Sequence, residues 1–314
     1  MNEDGNPFQC VMMWVMYAMI CQVQKLIIRN FYETYIEMDS SMPLVSRHLT
    51  KIVLSGIALK ECFLNFSSCP ALKDLLITRC RFDYVKKILS HSIKCLFISH
   101  CQFGEDHRTC IYAPSLIWLF LESFSGRTPF LEGMPSLLAA SVIPHQNCDD
   151  WCTKIYKGSP GDEYCICDGC YDTIDEIDSK CVLLGGLSEA KSLKLVAGPD
   201  IGIFRNDLRW CPTFSKLKSL LLNEWCVDSH FWALAYILER SPVLRKLTLK
   251  FSEKAKYMME PEEDDDDPLV KPGAISEHLK VVKVHCKKVD EGVYKIGRWL
   301  STLDIKLIIK QRNQ

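Results

Sequence analysis

Apolar side chains return along this chain at regular intervals. Leu72, Leu75, Ile77, Cys80 and Phe82 follow the spacing L-x-x-L-x-L-x-x-C-x-L, and Ile93, Leu96, Ile98, Cys101 and Phe103 repeat it directly afterwards in the same register. Upstream, Leu49, Ile52, Leu54, Ile57 and Leu59 fit the same positions with Ile57 in the cysteine's place, and Val23, Leu26 and Ile28 supply an earlier strand. Downstream come Leu116, Leu119 and Leu121, then a poorer copy in Leu137, Ala140 and Val142. After a gap follow Ala190, Leu193 and Leu195, then Leu217, Leu220, Leu222 and Val227. Leu244, Leu247 and Leu249 come next, and Leu279, Val282, Val284 and Val289 close the series. The first positions Val23, Leu49, Leu72, Ile93, Leu116 and Leu137 are closely spaced, whereas Ala190, Leu217, Leu244 and Leu279 stand further apart.

This spacing is the leucine-rich-repeat template in its cysteine variant. Each unit is a short strand, a turn and a return segment, and none buries its apolar face alone. Burying a Leu or Ile is worth about 1.5–3 kcal/mol, so stacked units stabilise one another. The expected fold is α/β, a leucine-rich-repeat solenoid whose curved parallel sheet carries helices or irregular returns on its convex side. Cys80 and Cys101 are expected where the chain turns away from the strand, in a structural role. Phe231, Leu234, Ile237 and Leu238 stand at helical spacing, with Asp228 or Ser229 to cap the helix and Ser241-Pro242 to end it. Val293, Ile296, Trp299 and Leu300 repeat that arrangement. In the first half, Cys69-Pro70, Ala113-Pro114 and Met134-Pro135 precede strands and suggest shorter, irregular returns.

The organisation that follows has four parts. Residues 1–22 hold an N-terminal apolar helix, and residues 23–143 the first repeats. Residues 144–180 form a Cys-rich insertion loop, and residues 181–314 the second repeats with an acidic loop at 260–268. Phe8 to Ile20 is shorter than the ~20 residues of a bilayer span, so a buried helix is expected there. Glu260, Glu262, Glu263 and Asp264 to Asp267 lack the glycine and alternating ligands of a calcium loop, and read as a solvated excursion.

Side chains alternate along a strand, so those between core positions face the concave side. The row assigned to the place between the second and third template positions is Val53, Leu76, Phe97, Phe120, Val196, Leu221, Thr248 and Lys283. Six of the eight are apolar, which is unusual for an exposed face. Val53, Leu76, Phe97, Phe120, Val196 and Leu221 are therefore the candidate partner-binding residues. The competing reading has loops or the N-terminal helix folded over the row.

Composition narrows the functions. Thirty-eight basic and 39 acidic residues leave a formal net charge of -1, and no local basic stripe stands out, so nucleic acid is not an expected partner. The 17 cysteines follow no signal-peptide pattern, which points to reduced thiols and a cytoplasmic or nuclear setting. Cys165, Cys167 and Cys170, with Cys148, Cys152, Cys181 and His145 nearby, lack the second pair of a zinc ribbon, so no metal is expected. The eight histidines form no metal-binding pair, and Gly185-Gly186 lacks the lysine or third glycine of a phosphate cradle. No catalytic residue and no cofactor are expected. A thiol- or zinc-dependent enzyme stands as the outside alternative.

Ser46–Leu59, Phe66–Phe82, Ile111–Val142, Cys181–Ala197 and Ser241–Phe251 together resemble the plant F-box/leucine-rich-repeat (FBD-like) proteins, particularly the large group in grasses. The likeness covers most of the chain after about residue 10. It implies a protein-interaction module like the substrate-recognition repeats of an F-box-type ubiquitin ligase receptor. No stretch before Val23 has the length or pattern of an F-box, so the Skp-cullin core is an expected partner only if a box is supplied elsewhere. The alternative is a leucine-rich-repeat scaffold, or a truncated isoform, that does not dock the Skp adaptor. In either case the partner is a protein, with no membrane involved.

Overall fold

The computed structural model describes residues 7–38, 44–148, 150, 181–198, 201–208, 210–227, 231–251, 275–289 and 291–311. The cysteines Cys165, Cys167 and Cys170, the acidic run Glu260–Asp267 and the capping candidates Asp228 and Ser229 lie outside the described residues. The chain divides into two compact units, Met1–Leu137 with Asn147–Asp149 and Leu138–Gln146 with Asp150–Gln314. Each is built on an open parallel sheet, and no sheet among the described residues closes into a barrel. The fold is α/β, with the stacked-strand build of a leucine-rich-repeat solenoid.

The first unit opens with helix α1 (Pro7–Ile20) and then runs through short strands. These are β1 (Lys25–Arg29), β2 (Ile36–Met38), β3 (Lys51–Ser55), β4 (Ile57–Leu59), β5 (Asp74–Thr78) and β6 (Arg81–Phe82), followed by β7 (Lys87–Leu89), β8 (Cys95–Ser99), β9 (Gln102–Phe103), β10 (Cys110–Tyr112), β11 (Trp118–Gly126) and β12 (Phe130–Leu131). Strands β1, β3, β5, β8 and β11 lie side by side in parallel. Ile52, Leu75, Leu96 and Leu119 form one buried row across them, and Leu54, Ile77, Ile98 and Leu121 the next. The ends of the template segments form a second parallel row of short strands, β2, β4, β6 and β9. Phe82 stacks on Phe103 with ring centroids 5.0 Å apart, and Phe103 meets Phe124 edge-on at 5.8 Å.

Between these two rows the backbone turns sharply. Gly56, Arg79, His100 and Ser123 each follow a strand of the main sheet or its core positions, and all four have positive φ. At Gly56 a Cβ would stand 2.6 Å from the Asn30 carbonyl oxygen, so only glycine fits that rung. Cys80 and Cys101 lie just beyond the turn, as the template implies. Each thiol donates to a carbonyl of its own rung, Cys80 to Thr78 and Cys101 to Ser99, both at 3.3 Å. The Cys101 sulfur also accepts the Cys80 backbone N–H at 3.4 Å, linking neighbouring rungs.

The returns of the first unit are not irregular. Strands β7, β10 and β12 pair in parallel as a further sheet. The reason lies in the residues: Lys87-Ile88-Leu89 and Cys110-Ile111-Tyr112 alternate, with only Ile88 and Ile111 buried, which is strand periodicity. The closely spaced rungs of this unit are also short to hold a strand, two turns and a helix. Helix α1 departs from expectation as well. It packs against β2 and buries Val15, but Met13, Trp14, Tyr17 and Ile20 are exposed. A helix apolar on all sides can hide only the side that meets the sheet.

The second unit carries β13 (Ala139–Cys148), β14 (Ser192–Leu195), β15 (Ser219–Asn223), β16 (Lys246–Lys250), β17 (Val281–Cys286) and β18 (Lys306–Gln311) in that order, all parallel. Its returns are helical: α2 (Leu184–Leu187), α3 (Ile203–Leu208), α4 (Trp232–Glu239) and α5 (Glu291–Ser301). Leu234, Ile237 and Leu238 are buried in α4, and Val293, Ile296, Trp299 and Leu300 in α5, as their spacing implies. Phe231 holds the position before α4 with φ 59° and makes no side-chain capping bond. No helix among the described residues is long and apolar enough to cross a membrane.

Rung stacking makes a direct prediction. Leu96→Ala, in the middle of the buried row, is expected to lower the unfolding free energy by about 2–5 kcal/mol in urea titrations. Tyr84→Ala, at a well-exposed turn, should stay within about 0.5 kcal/mol of the parent. Equal effects at the two positions would contradict the packing described.

Candidate functional site: the outward strand face

With alternate side chains committed to the core, the remaining ones stand on the opposite face of each sheet. In the first unit the strand register brings Ile27, Val53, Leu76, Phe97 and Phe120 directly side by side. Parallel strands are about 4.8 Å apart, so these five side chains form one unbroken apolar row. The Phe97 and Phe120 rings sit 6.0 Å apart at 46°. Exposure is uneven. Val53 retains only 8% and offers little to a partner, Leu76, Phe97 and Phe120 are half-buried, and Ile27 is 55% exposed. Ile27 was not in the candidate row, although the spacing of Leu26 and Ile28 places it there.

Two flanking rows complete this face. On one side lie Lys25, Lys51, Asp74, Cys95 and Trp118, the last 45% exposed. On the other lie Arg29, Ser55, Thr78, Ser99 and Glu122. The apolar strip is thus bordered by polar and charged groups and ends in an aromatic cluster of Phe97, Phe120 and Trp118. Apolar centres with polar margins suit a protein partner, and buried aromatic anchors carry much of the energy in such contacts.

The second unit distributes its face differently. Leu221 is in register with Lys194 on one side and Thr248 on the other, and Thr248 with Lys283. Val196 is not in that row. It lies two positions beyond Lys194, on the same face by alternation, with its N–H bonded to the Val142 carbonyl. The alternation of Leu193, Lys194 and Leu195 already fixed Lys194 as the intervening residue, so the row expected to include Val196 is corrected to Lys194. Ile308 follows Lys283 in register, so Leu221 and Ile308 are separated apolar points in this row and not a continuous strip.

Buried polar groups hold the rungs that carry these faces. The Asp207 carboxylate accepts backbone N–H bonds from Val182, Leu183 and Leu184 at 2.8, 2.6 and 2.8 Å, satisfying the open start of α2. Asn223 donates to the Ala197 carbonyl at 2.7 Å and accepts the Ala197 N–H at 3.0 Å. The Trp225 indole donates to the Leu195 carbonyl at 3.0 Å, and its rings lie 4.9 Å from Phe204. On the return sheet of the first unit, Glu132 accepts bonds from Lys87 and from the Cys110 thiol, both at 3.0 Å.

The thiol chemistry is that of packing groups. Burial, with Glu132 beside it, pushes Cys110 up to about 12, and burial raises Cys211 to about 12. Burial and then the Asp207 carboxylate raise Cys181 further. Cys80 is held down by the hydrogen bond with Cys101, but both are buried. A nucleophilic thiol needs a thiolate and access together, and none of these has both. Among the described residues no group of three or more His, Cys, Asp or Glu is placed to hold a metal ion.

Parallel rungs with a repeated core triplet are the build of a leucine-rich-repeat solenoid. In sequence the chain is similar to an F-box/FBD/LRR-repeat protein of Arabidopsis thaliana, 26% identical over 191 residues, which make up 59% of this chain and 36% of that protein. The match therefore spans little more than a third of that relative's length. No family model matches the chain, and no solved structure matches it.

The thiol environment predicts a pH profile. An ordinary thiol near pKa 8.5 gains thiolate steeply between pH 7 and 9, whereas Cys110 and Cys211, near 12, gain almost none in absolute terms. In the native protein, iodoacetamide labelling followed by peptide mapping should leave both unmodified across that range. Labelling of Cys110 as fast as in the unfolded chain would contradict the burial described.

Proposed function

We propose that the chain is a protein-interaction repeat module, and that the strand face of the first unit is its docking surface. The observation that carries this is the in-register apolar row ending in Phe97 and Phe120, with Trp118 beside it in the flanking row. Leu76, Phe97 and Phe120 act as anchors that lose their remaining exposure when a partner binds, and the charged margins set orientation. In the second unit, Leu221, Val196 and Ile308 contribute separate apolar points on a largely polar face. Two supports, the resemblance of the repeats and the name of the Arabidopsis relative, favour a finer reading: substrate recognition for an F-box-type ubiquitin ligase receptor. A repeat scaffold with no ligase role shares the docking face but makes no contact with the Skp adaptor. Neither reading calls for catalysis by this chain.

Phe97→Asp/Phe120→Asp places two carboxylates in the row while leaving the core triplets intact. Tagged parent and variant are to be used as baits in cell extract, with circular dichroism confirming equal folding. Proteins retained by the parent should be lost about tenfold or more from the variant. Identical retention by both baits would end the case for this face. Purified Skp adaptor, added to the parent, separates the two finer readings: binding supports the ligase role, and its absence leaves the scaffold.

A further inference from the structure

The sequence showed no basic stripe, yet the fold assembles one on the second unit. Lys191, Lys218 and Arg245 recur once per repeat, each at the position immediately before a strand. The Lys218 N–H bonds to the Lys191 carbonyl and the Arg245 N–H to the Lys218 carbonyl, at 2.9 and 3.0 Å, so the three stand on successive rungs. Lys280 holds the same place on the next rung, given the pairing of Leu247 with Val282. All four are exposed.

The outward face of the strands continues this charge. By alternation Lys246 and Lys250 on β16, Lys283 on β17, and Lys306 and Lys310 on β18 stand on this face. Strands β14 to β18 contain no Asp or Glu at all. The whole chain carries a net charge of only -1, so this concentration is local and not a reflection of composition. A surface that keeps such an arrangement is complementary to a polyanion.

The chemistry of the face selects among polyanions. Its strands bear no Phe, Tyr or Trp on which bases could stack. Instead Leu221 and Ile308 interrupt the lysines on the same face, in register with Lys194 and Lys283. Lysine alternating with aliphatic groups matches an extended chain that alternates carboxylates with apolar residues.

We propose that the strand face of the second unit docks an extended acidic segment of a partner protein. This rests on the interaction-module reading and names the chemistry of what one face takes. It is independent of the apolar row on the first unit.

The test uses the full chain and a fluorescein-labelled peptide alternating Glu with Leu, read by fluorescence anisotropy. Its Gln-for-Glu counterpart and an oligo-dT of equal charge serve as comparisons. The acidic peptide should bind, and binding should weaken steeply as salt shortens the screening length from about 10 Å to about 3 Å. Lys191→Glu/Lys218→Glu/Arg245→Glu should lose about tenfold or more in affinity, with unchanged circular dichroism, and the milder Lys191→Gln/Lys218→Gln/Arg245→Gln should lose less. Tyr84→Ala, at an exposed turn of the first unit, should bind the peptide as the parent does. No binding, or equal binding by the charge-reversed chain, overturns the proposal. Tighter binding of oligo-dT, lost in the same variant, reassigns the face to nucleic acid. Binding that appears only after Glu260–Asp267 is neutralised to Gln and Asn reassigns it to the chain's own acidic run. If extract proteins still depend on Phe97 and Phe120 while the peptide fails, only the basic-face assignment falls.

Discussion

The parallel ladder between successive rungs is the constraint on which everything else depends. A short strand with two or three inward aliphatic side chains cannot shield them by itself, and only the strand before and after it closes the core. That requirement fixes register. A slip by a single position would turn Leu75 and Ile77 outward and put Asp74 and Leu76 inside, so the charged residue alone forbids it. Because register is fixed at every rung, the outward residues also come into line, whatever they are.

The two units solve the return path differently under that one constraint. In the first, short rungs leave room for little more than another strand, and alternating residues such as Lys87-Ile88-Leu89 supply it. Its rungs are wrapped by three parallel walls and stitched at the turns by Cys80, Cys101 and the positive-φ residues. In the second, longer repeats accommodate helices such as α4, and buried acceptors take over the stitching. Asp207 and Asn223 show how: each bonds to backbone N–H groups of a segment remote in sequence, on a neighbouring rung.

Freed from core duty, the outward faces are where the units differ most in chemistry. One presents aliphatic and aromatic groups between polar margins, the other lysine with scattered Leu and Ile. The first arrangement carries a cost for the isolated chain, in exposed apolar area. Costs of this kind are offset when a partner covers the surface. The buried thiols, by contrast, have environments that suppress thiolate formation or access, which suits packing at rung turns.

Periodicity alone determined the fold class, because the spacing of Leu72, Leu75 and Ile77 is itself the geometry of a strand that must stack. The helices α4 and α5 and the turn cysteines were legible for the same reason: local pattern and local structure coincide there. The outward row was only partly legible. Phe97, Phe120 and Ile27 follow from alternation, whereas pairing puts Lys194, two residues before Val196, in the row with Leu221. The strand returns of the first unit were missed because proline before a strand says little about the segment that precedes it. Exposure of α1 depended on how much of its surface meets β2, which no count of apolar residues gives. The basic face was invisible along the chain for a simple reason. Lys191, Lys218 and Arg245 lie a whole repeat apart in sequence and become neighbours only when hydrogen bonds lay one repeat upon the next.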